Sequence, residues 1–262
     1  PVVRLLGAFA SHGEPLLIQG PTGAGKTRLA AWCHAKSSRT GGPFVTVDML
    51  GLPEDMQLPR LFGWKKGAFT GANEKSEGDL GRAEGGVLFL DEIDKLSLKA
   101  QAGLLRVLDE ARYRPLGHTG DDKIANVQFI FGTNKDLANE VEAGRFREDL
   151  YYRISVVPVQ VPPLNDRRDE IPLWAQAFLR RQRDQQGAQV EVVLTSDAAA
   201  NLQSRSWPGN LRQLSNVLRR AWVLASMDSS PDHDTLTVRS GHVEAALAMA
   251  RAPPEGSPSN RL

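Results

Sequence analysis

The chain predicts an α/β fold, a five-stranded parallel sheet sandwiched by helices and followed by a smaller helical portion. Three observations carry that prediction. Five short apolar runs, at residues 15–19, 44–48, 85–90, 127–132 and 156–161, alternate with stretches of helical spacing, which is the pattern of a parallel sheet with crossover helices. A glycine-rich octapeptide, GPTGAGKT at residues 20–27, lies between the first run and a helical stretch. After Pro162-Pro163-Leu164 the pattern turns purely helical.

Taken in order, residues 2–10 suit a short amphipathic helix, and Ser11-His12-Gly13-Glu14 turns into the first strand. A helix over 27–36 is broken by 37–43, and Phe44-Val45-Thr46-Val47-Asp48 reads as a second buried strand. A polar, proline-bearing stretch at 51–59 holds a short helix. The third run, Val87-Leu88-Phe89-Leu90, has no alternation and so predicts burial on both faces. Leu98, Ala102, Leu105 and Leu108 recur at helical spacing and predict the core face of a helix over 96–111, and 118–123 suits a second hairpin loop. Beyond Pro163 the reading is helices over 170–183, 195–202, 211–225 and 240–250, with an extended piece at 190–194. Residues 251–262, rich in proline, read as a flexible linker. The expected domains are therefore 1–164, 165–250 and the 251–262 linker.

The octapeptide has the context that a Walker A phosphate loop requires: strand, glycine turn, helix. Gly20, Gly23 and Gly25 allow a turn tight enough for successive backbone N–H groups to point at one phosphate chain, so that Gly20, Pro21, Thr22, Gly23, Ala24 and Gly25 together form the nucleotide cradle. Lys26 would reach the β- and γ-phosphates, and the Thr27 hydroxyl would sit on Mg2+. The third strand ends in Asp91-Glu92, and two carboxylates at the end of a buried strand need a reason. Behind a phosphate loop that reason is a Walker B element: Asp91 holds Mg2+ through water, and Glu92 orients and deprotonates the attacking water. Thr133 and Asn134, at the tip of the fourth strand, would sit beside the γ-phosphate, a role compatible with capping the next helix.

LFGWKKGAFTGA at 61–72 is harder to place. Phe69 lies between Gly67 and Gly71 with no periodic partner, so it is either an exposed contact residue or a hairpin tip tucked back into the core. FREDLYYRI at 146–154 mixes arginines with acids, as a surface helix laced with ion pairs does.

Walker A at 20–27, GAFTGA at 67–72, LFLDEID at 88–94, FREDLYYRI at 146–154 and WPGNLRQL at 207–214, in this order, resemble the central AAA+ domain of bacterial enhancer-binding proteins. The resemblance spans roughly residues 1–250. It implies an ATP-hydrolysing hexameric ring that remodels the closed promoter complex of the sigma-54 RNA polymerase and so activates transcription. Carried over by position, Arg147 and Arg153 match the arginine-finger region, which reaches a neighbouring subunit's γ-phosphate, and Arg212 matches the second sensor. Gly67, Ala68, Phe69, Thr70, Gly71 and Ala72 match the loop that touches the sigma-54 subunit. DNA would be bound by a domain absent from this chain. The GPTGAGK form is similar to the branch that activates RNA-repair operons.

Some positions depart from the family's pattern. Asp48 stands where an asparagine usually restrains the Walker B glutamate, and an ionised Asp48 would repel Glu92. Thr27 replaces a common glutamate, and Trp64 and Lys65 replace His or Tyr and Glu. Poor hydrolysis on account of Asp48 would make the chain a nucleotide-dependent scaffold, and another AAA+ remodeller, a clamp loader or DNA helicase of the same fold, would share the ATP site but not a GAFTGA insertion.

Bulk composition narrows the field. The 262 residues are 41% hydrophobic, enough for a full core, and 32 basic against 31 acidic residues give a net +1, so any nucleic-acid contact must be local. One cysteine, Cys33, excludes a disulfide framework and fits packing in a reducing cytoplasm. No apolar segment is long enough to span a membrane. The five histidines lack metal-ligand spacing, and a start at Pro1 suggests a domain excised from a longer chain.

Overall fold

The computed structural model describes residue 6, residues 13–228 and residues 234–249. The helix expected over 2–10, apart from a helical and buried Leu6, and the linker over 251–262 lie outside the described residues. Two compact units are present: one holds the chain up to Pro21 and from Gly25 to Val161, and the other holds Thr22–Ala24 with the chain from Pro162 onward.

The first unit runs β1 (Leu16–Gln19), α1 (Lys26–Lys36), β2 (Phe44–Asp48), α2 (Glu54–Phe62), α3 (Gly78–Arg82), β3 (Val87–Asp91), a 3-10 turn (Ile93–Lys95), α4 (Leu98–Glu110), β4 (Arg112–Tyr113), β5 (Lys123–Ile124), β6 (Gln128–Thr133), α5 (Leu137–Glu142), α6 (Glu148–Ile154) and β7 (Val157–Gln160). Five strands form one sheet in the order β2-β3-β6-β1-β7, with every pairing parallel. The register sets Asp48 opposite Asp91 and Gln19 opposite both Thr133 and Gln160. The carboxyl ends of the strands are thus level, and that edge is where open α/β sheets bind ligands.

Burial follows position in the sheet. All six residues of β6 and the first four of β3 are buried, as the unbroken apolar runs predict for central strands. β2 departs from the reading of 44–48 as a buried strand: it lies at the sheet's edge, and Thr46 and Asp48 are exposed. α4 departs too. Its inward face carries Ala100, Gln101, Leu104 and Val107, while Leu98 is 50% exposed. The reason is Gln101, fully buried because each end of its amide is satisfied. Its Nε2 donates to the carbonyls of Leu96 and Arg145 (2.7 and 3.0 Å), and its Oε1 accepts the Arg147 N–H (2.8 Å). Ser97 caps the same helix by accepting the Ala100 N–H. The hairpin expected near 118–123 is closed by β4 and β5, which pair antiparallel.

The second unit contains 3-10 turns (Leu164–Asp166 and Arg168–Glu170), α7 (Ile171–Gln185), β8 (Glu191–Leu194), α8 (Ser196–Ser204), α9 (Asn210–Asp228), β9 (Thr235–Val238) and α10 (Ser240–Ala248). Its core gathers Ile171, Leu179, Leu202, Leu214, Leu218 and Val243 around a fully buried Trp207. The indole N–H of Trp207 donates to the Leu202 carbonyl (2.9 Å), so the large ring is buried without an orphaned donor. The extended piece read at 190–194 is β8, and it pairs in parallel with β9, whose four residues carry no sequence signal long enough to announce a strand.

Candidate active site

The phosphate loop leaves β1 through Gly20, whose N–H donates to the Thr133 carbonyl (3.1 Å). A β-carbon on Gly20 would lie 2.6 Å from the Val161 carbonyl oxygen, so the turn admits only glycine. Gly25 (φ 108°) then opens α1, whose first turn no N-cap side chain closes and whose positive dipole end lies at the loop. Lys26, 5% exposed, folds over the loop: its Nζ donates to the Gly20 carbonyl (3.1 Å) and stands 3.9 Å from Glu92 Oε1.

Within the second unit the loop's middle is held by its carbonyls. Thr22 O accepts from Asn210 Nδ2 (2.9 Å), Gly23 O from the Leu211 N–H (2.9 Å) and Ala24 O from the Arg167 guanidinium (2.6 Å). The carbonyl oxygens of all three residues in the middle of the turn are thus taken. Arg212 is exposed, and its β-carbon lies 3.0 Å from where a Gly23 side chain would begin.

At the end of β3 the Thr27 hydroxyl donates to Asp91 Oδ2 (3.3 Å), and Asp91 Oδ1 accepts the Glu92 N–H (3.1 Å). Glu92 adopts φ 54°, a conformation that costs a non-glycine residue about 1–3 kcal/mol and marks strain at a site. Burial pushes its carboxyl above the ordinary carboxylate range; Lys26 opposes that push, and Asp91, Asp94 and Asp48 add to it. Its Oε2 is buried without a partner, as a group awaiting a ligand or water would be. Asp48 turns one oxygen to the Leu50 N–H (2.9 Å) and still acts on Glu92 as a repelling charge, in line with the expectation from sequence.

These residues fit Mg2+. Thr27 and Asp91 converge, and among the described residues no group of three or more acidic, histidine or cysteine side chains forms a cage. Few protein oxygens are what Mg2+ uses when waters and phosphates fill its other positions.

Thr133 and Asn134 lie at the same edge but are used differently. Thr133 is fully buried and its hydroxyl donates to Asp94 Oδ1 (2.8 Å), whereas Asn134 is exposed. Capping of the following helix falls to Asp136, which accepts the Ala138 N–H. Arg147 precedes α6 and grips Asp149 through two bonds (3.0 and 2.6 Å). Arg153, on α6, pairs with Asp109 (3.1 Å) and donates to the Leu108 carbonyl (2.8 Å).

The 67–72 segment is a compact turn. The Gly67 N–H donates to the Ala72 carbonyl (2.8 Å) and the Ala72 N–H to the Phe69 carbonyl (3.0 Å), with Gly67 and Gly71 at positive φ. Ala68 is half-buried, Thr70 exposed and Ala72 buried. Phe69 is neither tucked into the core nor free; it is half-buried against Trp64, with ring centroids 5.5 Å apart.

Comparison with known proteins matches residues 1–160 to the sigma-54 interaction domain and residues 165–245 to the AAA+ ATPase lid domain. The chain belongs to the sigma-54 interaction domain family. It is 41% identical to the response regulator protein PilR of Pseudomonas aeruginosa over 87% of this chain and 51% of PilR. It is 40% identical to the transcriptional regulator NtrC of Rhizobium meliloti over 87% of this chain and 46% of NtrC. NtrX of Brucella abortus in complex with ADP superposes with a TM-score of 0.80 at 36% identity, covering 98% of this chain and 55% of NtrX, and its ATP complex superposes with 0.79. The chain spans about half the length of the curated relatives it matches.

In this sigma-54 interaction domain several site residues escaped the sequence reading. Gly132 is one: a β-carbon there would lie 2.5 Å from Asp91 Oδ1. A glycine inside a buried central strand was the available signal, since it marks the close approach of another group. Asn210 (φ 51°) and Arg167, which hold the phosphate loop by its carbonyls, carried none beyond being polar residues near turns.

Proposed function

We propose that this chain is a Mg2+-dependent ATPase and the motor portion of a sigma-54-dependent activator. The observation that supports it best is the meeting of Lys26, Thr27, Asp91 and Glu92 at the level carboxyl ends of β1 and β3, with Glu92 Oε2 unpartnered. Lys26 and the amides of residues 22–25 hold the β- and γ-phosphates. Thr27 and Asp91 hold Mg2+, which when bound neutralises charge on those phosphates. Glu92 orients the attacking water and takes its proton, and Asn134 faces the γ-phosphate beside it. Arg212 acts as the second sensor.

Arg147 and Arg153 complete the site of a neighbouring copy in a hexameric ring. Such an arginine raises phosphoryl-transfer rates by ~10³–10⁵ in GTPases, so hydrolysis and assembly are coupled. Residues 67–72 deliver the output by pressing Phe69 and Thr70 against the sigma-54 subunit. DNA is bound by a part of the protein beyond this chain.

Phosphate release measured across protein concentration tests this reading. A rate per subunit that climbs steeply with concentration and disappears in Glu92→Gln supports the motor. A flat rate near background favours a nucleotide-dependent scaffold, the second reading, for which the charge of Asp48 beside Glu92 is the specific observation.

A further inference from the structure

Asp94 has a side chain only 1% exposed, three residues beyond the Walker B aspartate. A buried carboxylate is costly unless each oxygen is partnered, and both of these are. Oδ1 accepts the Thr133 hydroxyl (2.8 Å) and Oδ2 takes the Lys95 ammonium (3.0 Å). The Thr133 oxygen in turn accepts the Lys135 N–H (3.0 Å). A threonine hydroxyl has one proton to give, and in this arrangement Asp94 receives it. The Thr133 carbonyl meanwhile accepts the N–H of Gly20, the first residue of the phosphate loop. A single buried residue therefore ties the segment after Glu92 to the end of β6, and through it to the loop.

We propose that Asp94 is a positioning residue for hydrolysis: through Thr133 it fixes both the strand end that leads into Asn134 and the first amide of the phosphate loop. The proposal rests on the ATPase reading above. With its oxygens taken by Thr133 and Lys95, Asp94 acts through Thr133 and sets where Asn134 and Gly20 stand relative to Glu92. Misplacement by about 1 Å in such a site lowers turnover ~100-fold while leaving much of the binding intact.

The test uses Asp94→Ala, Asp94→Asn, Thr133→Val, Thr133→Ser and the Asp94→Ala/Thr133→Val double variant in the intact chain. Asp94→Ala and Thr133→Val are each expected to lower kcat by ~10- to 100-fold with KM for ATP held within about threefold. The double variant should be no worse than the worse single, because both remove one link. Asp94→Asn keeps a carbonyl acceptor and Thr133→Ser keeps the hydroxyl, so both should retain most of the activity. Amide hydrogen exchange of the nucleotide-free chain supplies a second readout: Asp94→Ala should speed exchange over residues 16–25, and Thr133→Ser should not. Multiplicative losses in the double variant, an Asp94→Asn as impaired as Asp94→Ala, or unchanged exchange would each overturn the proposal. If the unaltered chain releases no phosphate, the ATPase reading fails, and the exchange measurement alone decides whether Asp94 holds the loop.

Discussion

The rings of Trp64 and Phe69 meet edge to face at 63°, so the aromatic residue of the GAFTGA segment rests on a partner from its own base. Trp64 is itself fixed. Its backbone exchanges hydrogen bonds with Ser76 (2.9 and 2.8 Å), and its indole N–H donates to the Glu74 carbonyl (2.8 Å). An aromatic pair of this kind contributes ~0.5–1.5 kcal/mol, enough to hold a short loop yet small beside the free energy of a nucleotide cycle. Trp64→Ala should therefore raise amide exchange over residues 64–76 by roughly two- to tenfold, which is that energy expressed as a ratio. Phosphate release should stay within about twofold, since neither ring belongs to the catalytic machinery. Exchange that is unchanged across this segment would show that the ring pair does not restrain the loop.

Gly132→Ala should disable the site from a position that touches no ligand. The added methyl would sit 2.5 Å from Asp91 Oδ1 and 2.9 Å from the Phe89 ring, both too close for any real β-carbon. Phe89 is fully buried and cannot retreat, whereas Asp91 can swing outward. Overpacking of this sort costs ~1–3 kcal/mol, within what a domain of this size tolerates. The expected result is a modest fall in Tm with kcat reduced ~10- to 100-fold, because Asp91 would be displaced. A folded Gly132→Ala protein with unaltered turnover would mean that Asp91 need not stand where the structure places it.

How far the sequence could be read depended on the range of the interaction. The β1 loop, the acids ending β3 and the helices after Pro163 were legible because each is a local pattern, set by glycine spacing or apolar period. The inward face of α4 was misjudged because the decisive residue, Gln101, is polar and earns burial only through partners at Arg145 and Arg147, far along the chain. β9 was missed because a four-residue strand is specified by its pairing with β8 rather than by its own composition. Position alone suggests a place beside the γ-phosphate for Thr133. The bond from its hydroxyl to Asp94 is a tertiary fact with no local trace.

Cys33 gives a prediction with a pH sign. The side chain is 1% exposed in α1, and burial raises its thiol to about 11 from an ordinary 9.0. A group whose folded pKa lies above its unfolded value stabilises fully below the unfolded value and loses that contribution as pH rises toward the folded one. Stability should thus fall between pH 9.0 and about 11, by at most ~1.4 kcal/mol per pH unit from this residue. Cys33→Ser should flatten that decline in Tm. At pH 8 the native thiol should react with a maleimide only as fast as the chain opens, and rapid stoichiometric labelling of folded protein would contradict its burial.

Arg147 tests whether neighbouring copies share a site. In the single chain it is bound to Asp149 by two bonds, which at first sight argues against a role elsewhere. Magnitude decides the matter. Both side chains are more than 40% exposed, and an exposed ion pair contributes only ~0–1 kcal/mol, far less than an arginine gains on a phosphate in a closed site. Asp149 therefore parks the guanidinium without trapping it, and the backbone N–H bonded to Gln101 keeps its origin fixed while the side chain moves. Arg147→Ala should leave nucleotide affinity within about threefold while removing the concentration-dependent part of phosphate release. Mixing provides the decisive measurement, because Glu92→Gln subunits still hold Arg147 and Arg147→Ala subunits still hold Glu92. Two inactive preparations that regain turnover when combined place the arginine of one copy at the glutamate of another. Mixtures that stay inactive at every ratio, despite normal assembly, would confine Arg147 to its own subunit and leave Arg153, paired with Asp109, as the remaining candidate.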